Sequence, residues 1–283
     1  MEKSLNLKAA LQNDNVFVKS SLISLADATG MPVRTGLEKA VVSEGQIVNI
    51  VSKSYGHLPN EKFFYGVEEK LIKSDIQYVT RSINRDNRSF AVDYILQDEK
   101  MVINIKNGMD KIVPMLRFTN SYDGSCKTSG HFGFFRQICS NGLHVSHTNV
   151  GFSVKHRGNI AEVVMPEIGS LVKTFMDNEY YSLRHKFEVL AERPITDLNE
   201  FVRMTASELK LFKFESSEKN PDPSLNARIV IETIEKEASL LGGGANMWLG
   251  YNAFNELLHG KLKKTFEQQK NIDSKLFELV SAM

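Results

Sequence analysis

Residues 112–145 read IVPMLRFTNSYDGSCKTSGHFGFFRQICSNGLHV, and this pattern governs the reading of everything that flanks it. The stretch opens on a strand-like run, Ile112, Val113, Met115, Leu116 and Phe118. It then switches to Thr119-Asn120-Ser121-Tyr122-Asp123-Gly124-Ser125. Asn, Ser and Asp close turns on their own backbone, and glycine tolerates positive φ, so the switch predicts a strand delivered into a tight turn. The following Phe132-Gly133-Phe134-Phe135-Arg136-Gln137-Ile138-Cys139 is too aromatic to face solvent. Ser140-Asn141-Gly142 closes it with a turn or helix stop. Two polar turns thus bracket one apolar element.

Working outward, the upstream side predicts a meander with strands near 77–83, 89–97, 101–106 and 112–118. Its connections are Asn84-Arg85-Asp86-Asn87, Gln97-Asp98-Glu99-Lys100 and Asn107-Gly108, all with hairpin-turn chemistry. Before it, Pro59-Asn60 opens a helix whose Phe63, Phe64, Val67, Leu71 and Ile72 share a face. Alternation from Val41 through Ile47-Val48-Asn49-Ile50-Val51 predicts a strand, and 1–40 reads as a leader or arm. Downstream, 144–154 returns as a strand. From Pro166 one apolar stripe runs to Leu190 and stops at Pro194. Helices follow near 197–212 (with an Asp197…Glu200 capping box), 225–241 and 245–259, then one in the tail. The expected fold is α+β: an antiparallel meander with packed helices and one open sheet face, followed by an all-helical C-terminal region. The corresponding division is 1–40, a core at 41–160 and helices at 161–283.

Composition excludes several classes. With 42% apolar and 24% charged residues the 283-residue chain has ordinary globular composition. It has no apolar run of the roughly 20 residues a membrane span needs. The N-terminus lacks a signal-peptide layout, and the two cysteines, Cys126 and Cys139, suit a reduced cytoplasmic setting. The net charge of +1 is unevenly spread. Residues 101–160 hold Lys106, Lys111, Arg117, Lys127, Arg136, Lys155 and Arg157 against Asp110 and Asp123, a local +5 against −4 elsewhere. Clustered charge of this kind marks a polyanion-binding face or a merely solvated one.

The candidate nucleic-acid-binding residues are Arg81, Arg85, Arg88, Lys127, Arg136, Lys155, His156 and Arg157. They are interleaved with Tyr78, Phe90, Tyr94, Phe132 and Phe152, each of which reads equally as core. Arginines and stacking rings on an open sheet can hold single strands without reading sequence. A metal site at His131, Cys139, His144 and His147 lacks the paired spacing that structural zinc favours. A reactive Cys139 is disfavoured by its apolar neighbours. Gly242-Gly243-Gly244 precedes a helix but lacks the phosphate-loop ending and reads as a hinge. Asn252, Glu256 and His259 share a helix face with Trp248, suited to polar packing on the Asn120–Ser125 turn or to acid–base work. Packing is the favoured reading; no cofactor, metal or catalytic residue is expected.

Four blocks in order carry a family resemblance. Phe118–Ser125 with Arg136–Leu143 resembles the TNSHDGS…RVVCxNxL signature of the phage/plasmid-like protein family, the domain of unknown function nine-three-two. Tyr55–Phe63 is similar to its entry segment, Ser153–Arg157 to its basic-His segment, and Met247–His259 to its closing helix. Leu258 stands where the family has Asp, and Arg157 where it has Thr. The resemblance covers roughly residues 45–260 and marks Asn120, Asp123, Gly124, Ser125, Cys139, Asn141, Trp248, Asn252, Glu256 and His259 as motif positions. It implies a mobile-element setting. The element order is also similar to the core of single-strand annealing recombinases. The expectation is a cytoplasmic protein of DNA metabolism and recombination that binds single-stranded DNA, as a homo-oligomer, with no membrane partner. The alternative is a non-enzymatic phage interaction protein that blocks a host defence or replication protein. An enzyme acting on nucleotides through Glu256 and His259 comes last.

Overall fold

The computed structural model describes residues 16–33, 36–105, 110–136, 141–143, 151–177, 179–217 and 220–283, with backbone alone for 141–143, 175–177, 179–182 and 220. The chain forms a mixed α+β fold, an antiparallel meander with packed helices followed by a helical C-terminal region. It divides into two compact units that interleave in sequence. The first comprises Met1–Asp98, Met115–Phe132 and Thr148–Asp177; the second comprises Glu99–Pro114, Gly133–His147 and Asn178–Met283.

The first unit begins with a three-stranded antiparallel sheet of β1 (Ser20–Ser24), β2 (Leu37–Ser43) and β3 (Gln46–Ser52). Part of the segment read as an arm is therefore sheet. The single strand expected from Val41 is a hairpin, because Glu44 and Gly45 take left-handed φ of 47° and 77° and reverse the chain. Short helix α1 (Leu25–Thr29) is capped by Ser24. Helix α2 (Asn60–Lys73) starts where Pro59 predicts.

The main sheet runs β10-β8-β7-β5-β4, with β6 on β7 and β9 on β8 off that path. Its strands are β4 (Tyr78–Arg85), β5 (Ser89–Leu96), β6 (Ile103–Ile105), β7 (Asp110–Ser121), β8 (Thr128–Arg136), β9 (Asn141–Leu143) and β10 (Gly151–Val154). Pro114 lacks an N–H to donate. It falls where β7 changes partner, between the Ile112–Ile103 pair and the Met115–Ile95 pair. β7 and β8 contribute residues to both units.

Strand alternation separates two faces in the first unit. Phe90, Val92, Tyr94, Phe118 and Phe152 make the apolar one. There Phe118 meets Phe63 of α2 edge-on at 6.1 Å. Helix α3 (Ile160–Asp177) packs beside α2, where a Cβ at Gly66 would lie 2.6 Å from the Met165 sulfur, so a side chain there would make the flexible end of Met165 move aside. The other face carries Arg81, Asp93, Arg117, Thr119 and Ser129. It is not the open face expected from alternation: every residue of β5 is buried, and Arg117 and Thr119 are each 3% exposed. The polar side chains satisfy one another. Arg81 and Arg117 both grip Asp93, and Thr119 Oγ1 lies 2.7 Å from Ser129 Oγ.

The second unit is mostly helical: α4 (Glu179–Glu192), α5 (Leu198–Glu208), α6 (Leu225–Leu240), α7 (Met247–Gly260) and α8 (Phe266–Ala282), with a small hairpin β11 (Glu215–Ser217) and β12 (Asn220–Pro223). The stripe expected to run unbroken to Leu190 is two helices, α3 and α4. Asp197 caps α5 by accepting from Glu200 N, and Thr265 with Gln268 forms a capping box at α8. Trp248, Tyr251, Phe187 and Phe277 fill the core with rings 4.9–6.0 Å apart. No helix among the described residues is long and apolar enough to cross a membrane.

Candidate functional site

The turn after β7 is built as its residues predict, and it anchors the first unit's interior. Asp123 Oδ1 accepts from Ser125 N at 2.9 Å, an Asx turn, and Gly124 takes φ 74°. Ser121 Oγ bonds both Cys126 O (2.6 Å) and Cys126 N (3.2 Å), closing the loop from inside. Asn120 is wholly buried. Its Nδ2 donates to Leu58 O and Asn60 Oδ1, both at 2.8 Å, and its Oδ1 accepts from Thr128 Oγ1 at 2.9 Å. The Tyr122 hydroxyl accepts from Asn60 N at 2.9 Å and donates to Val18 O, so it satisfies a backbone donor that the first turn of α2 leaves orphaned.

Two further motif blocks meet at the same place. His156 Nε2 lies 3.4 Å from Thr128 Oγ1 and Nδ1 lies 3.2 Å from Gly56 O. Its ring stacks on Tyr55 at 5.3 Å. A Cβ at Gly56 would meet Gly158 O at 2.6 Å, so this crossing of backbones requires glycine. Burial lowers the affinity of His156 for a proton, against the pull of its bonds to Gly56 and Cys126. His57 is lowered by burial and then by His156. Segments 55–63, 118–125 and 153–157, far apart in sequence, are thus one hydrogen-bonded hub.

The structure sorts the cationic candidates. Arg88 carries its side chain outward while its carbonyl accepts from Tyr122 N at 2.7 Å, which joins the β4–β5 turn to the turn after β7. Lys127 and Lys155 lie one residue beyond the Thr128–Val154 pair on adjacent strands. Arg157 is exposed and bridges to Tyr55 through its backbone. With half-buried Arg85, these residues share one end of the sheet, where Asp86, Asp123 and Glu44 are the acids nearest in the turns. Three candidates leave this group. Arg81 is ion-paired with Asp93 at 2.7 Å, His156 is held in the hub, and Arg136 is fully buried in the second unit. The rings leave too: Phe90, Tyr94, Phe132 and Phe152 are core, and half-buried Tyr78 packs edge-on against Tyr94.

Arg136 belongs instead to a charged hub. Its Nε donates to Asp110 Oδ2 (2.8 Å) and Oδ1 (3.0 Å), and its Nη1 to Glu237 Oε2 at 2.7 Å. Trp248 Nε1 donates to Asp110 Oδ2 at 2.8 Å, and the guanidinium carbon lies 5.7 Å from the Trp248 ring centre. Burial raises the Glu237 pKa, opposed by Arg136 and reinforced by Asp110 and Glu256.

Helix α7 departs from its expected roles. Asn252 Nδ2 bonds Trp248 O within its own helix at 2.7 Å, not the turn backbone. Glu256 is exposed. His259 lies 3.6 Å from Asp273, which also accepts from the Tyr251 hydroxyl at 2.8 Å, so the carboxylate–histidine contact here is made by Asp273. Cys139, His144, His147 and the Asn141 side chain lie outside the described residues. Among the described residues no group of three His, Cys, Asp or Glu is placed to hold a metal. Sequence reading missed Asp93, Asp110, Asn60 and Glu237. The usable signal for two of them is a carboxylate inside or at the mouth of an otherwise apolar strand, which demands a buried cation.

Residues 48–276 match the family described as Domain of unknown function (DUF932). No curated protein and no solved structure matches the chain. The matched span takes in the charged hub, the three motif segments of the neutral hub and the basic sheet end, and the chain belongs to the DUF932 family.

Proposed function

We propose that this protein binds single-stranded nucleic acid across the basic end of the first unit's main sheet, as a cytoplasmic factor of phage or plasmid DNA metabolism that anneals strands as a homo-oligomer. The observation that carries the reading is the gathering of Arg85, Arg88, Lys127, Lys155 and Arg157 at one sheet end from three separate connections. Because the interleaved rings are core, binding rests on phosphate contacts and not on stacked bases. Affinity then falls with salt by a log–log slope of about −0.7 per phosphate contacted, roughly −3 to −4 if all five cations engage.

Fluorescence anisotropy of a labelled oligothymidylate, read over a salt series, tests this. Arg88→Glu, Lys155→Glu and Arg157→Glu together alter only exposed side chains and abolish binding on this reading. A folded triple variant with unchanged affinity overturns it. Mass photometry with and without the oligonucleotide tests the assembly.

A further inference from the structure

Two residues past the end of helix α5, Lys210 takes a left-handed φ of 51°, and residues 211–214 lead back to β11. Hydrogen bonds from Lys210 N to Ser207 O (3.1 Å) and Leu211 N to Ala206 O (3.0 Å) hold this reversal. It encloses an open groove of about 540 Å³, a volume within the roughly 300–1,000 Å³ of small-ligand sites. Two flat groups line it. Phe212 is half-buried and stacks on Phe254 with planes 14° apart, so one ring face is backed by the core. The Arg203 guanidinium lies 4.5 Å over the Phe214 ring and is pinned by Glu200 at 2.7 Å and Glu215 at 3.2 Å. Two carboxylates thereby hold its one charge, and it serves as a plane. Lys210 and Lys213 line the same groove, are exposed, and form no ion pair among the described residues.

We propose that this groove binds a planar aromatic anion of nucleotide size, its ring lying on the Phe212 and Arg203 planes and its phosphate facing Lys210 and Lys213. Rings and guanidinium planes accept any base by stacking. A lysine ammonium meets phosphate as a point charge. The site uses no residue of the basic sheet end and stands whether or not that surface binds nucleic acid.

Isothermal titration of the full chain with AMP, adenosine, ribose 5-phosphate and inorganic phosphate tests it. AMP binds saturably, and adenosine and ribose 5-phosphate each bind at least about tenfold more weakly, since each lacks one of the two contacts. Phe212→Leu weakens AMP about tenfold and leaves ribose 5-phosphate unchanged. Lys210→Gly, which suits the left-handed backbone, weakens AMP and ribose 5-phosphate but not adenosine. The triple Glu variant of the sheet end binds AMP like the parent. Should Phe212→Leu not fold, chemical-shift changes on titrating AMP into the unaltered protein must centre on residues 203–215. Absence of saturable AMP binding, equal affinity for AMP and inorganic phosphate, or shifts centred elsewhere overturns the proposal.

Discussion

Two buried polar hubs, one around Asn120 in the first unit and one around Arg136 in the second, are held by opposite means, although the first unit also buries the charged Asp93–Arg117 pair. Around Asn120 the groups are neutral, and most bonds run from a side chain to a backbone carbonyl or amide: Leu58 O, Val18 O, Asn60 N, Cys126 O and Gly56 O. Around Arg136 the groups are charged, and side chain meets side chain: Asp110, Glu237 and the Trp248 indole. A neutral hub of this kind sews distant backbone segments together, and losing one member leaves a few dipoles unsatisfied. A charged hub is balanced only when complete, since an ion in a low-dielectric interior is tolerable only beside its counter-ion.

The sharpest test removes the central cation. Arg136→Met should cost about 3–5 kcal/mol in urea unfolding, because it strands two buried carboxylates. Adding Asp110→Asn and Glu237→Gln should recover much of that loss. A cost below about 1 kcal/mol would break the contrast, because a removed surface pair costs that little. Next is Asn120→Leu, expected to cost about 1–3 kcal/mol by orphaning Leu58 O and Asn60 Oδ1 and leaving the Thr128 hydroxyl only His156. A loss equal to that of Arg136→Met would erase the distinction between neutral and charged hubs. Smaller still, Gly124→Val forces a branched side chain into left-handed φ and should cost about 1–2 kcal/mol, read as a lower melting temperature. An unchanged melting temperature would show that the turn adapts freely.

The smallest effect carries opposite signs in the two units. His57 and His156 have folded-state pKa values below 6.5, so the unfolded chain binds more protons and stability falls as pH drops through 6.5. Glu237 has a folded-state pKa above 4.5, so the folded chain binds more protons and its contribution improves as pH falls towards 4.5. Melting curves from pH 7 to pH 5 should show His156→Gln flattening the acid loss and Glu237→Gln steepening it. Parallel profiles for both variants and the parent would refute the assignment. Asp93 acts lower down. Burial pushes its carboxyl up, but Arg117 and Arg81 outweigh that and hold it at about 2, so its stabilisation is lost only as pH falls from the ordinary carboxylate range towards that value.

Much of the local architecture was legible. Alternation placed the strands from β4 to β7 within a few residues, Pro59 marked the start of α2, and Asp197 capped α5; of the turn read at Asn120–Ser125, residues 122–125 form it, while Asn120 and Ser121 still belong to β7. Those signals are local: a cap, an Asx turn or a period-two pattern is set by energies within a few residues of itself. The candidate cations show where such reading stops. Arg88 and Arg136 have the same side chain, and both belong to the basic set. One is exposed in a turn, and the other is sealed against partners 26 and 101 residues away.

What the sequence by itself determined, then, is the order and type of most elements, the turn chemistry, the local excess of positive charge and membership of the family. Only the tertiary structure decided which cations face solvent, that the rings between them are core, and that three motif blocks close one neutral hub while Trp248 joins a charged one. The physical reason is that burial and ion pairing depend on neighbours across the sheet and between helices. A strand with one polar face reads the same whether that face is solvated or, as with Asp93 between Arg81 and Arg117, satisfied by the strands on either side.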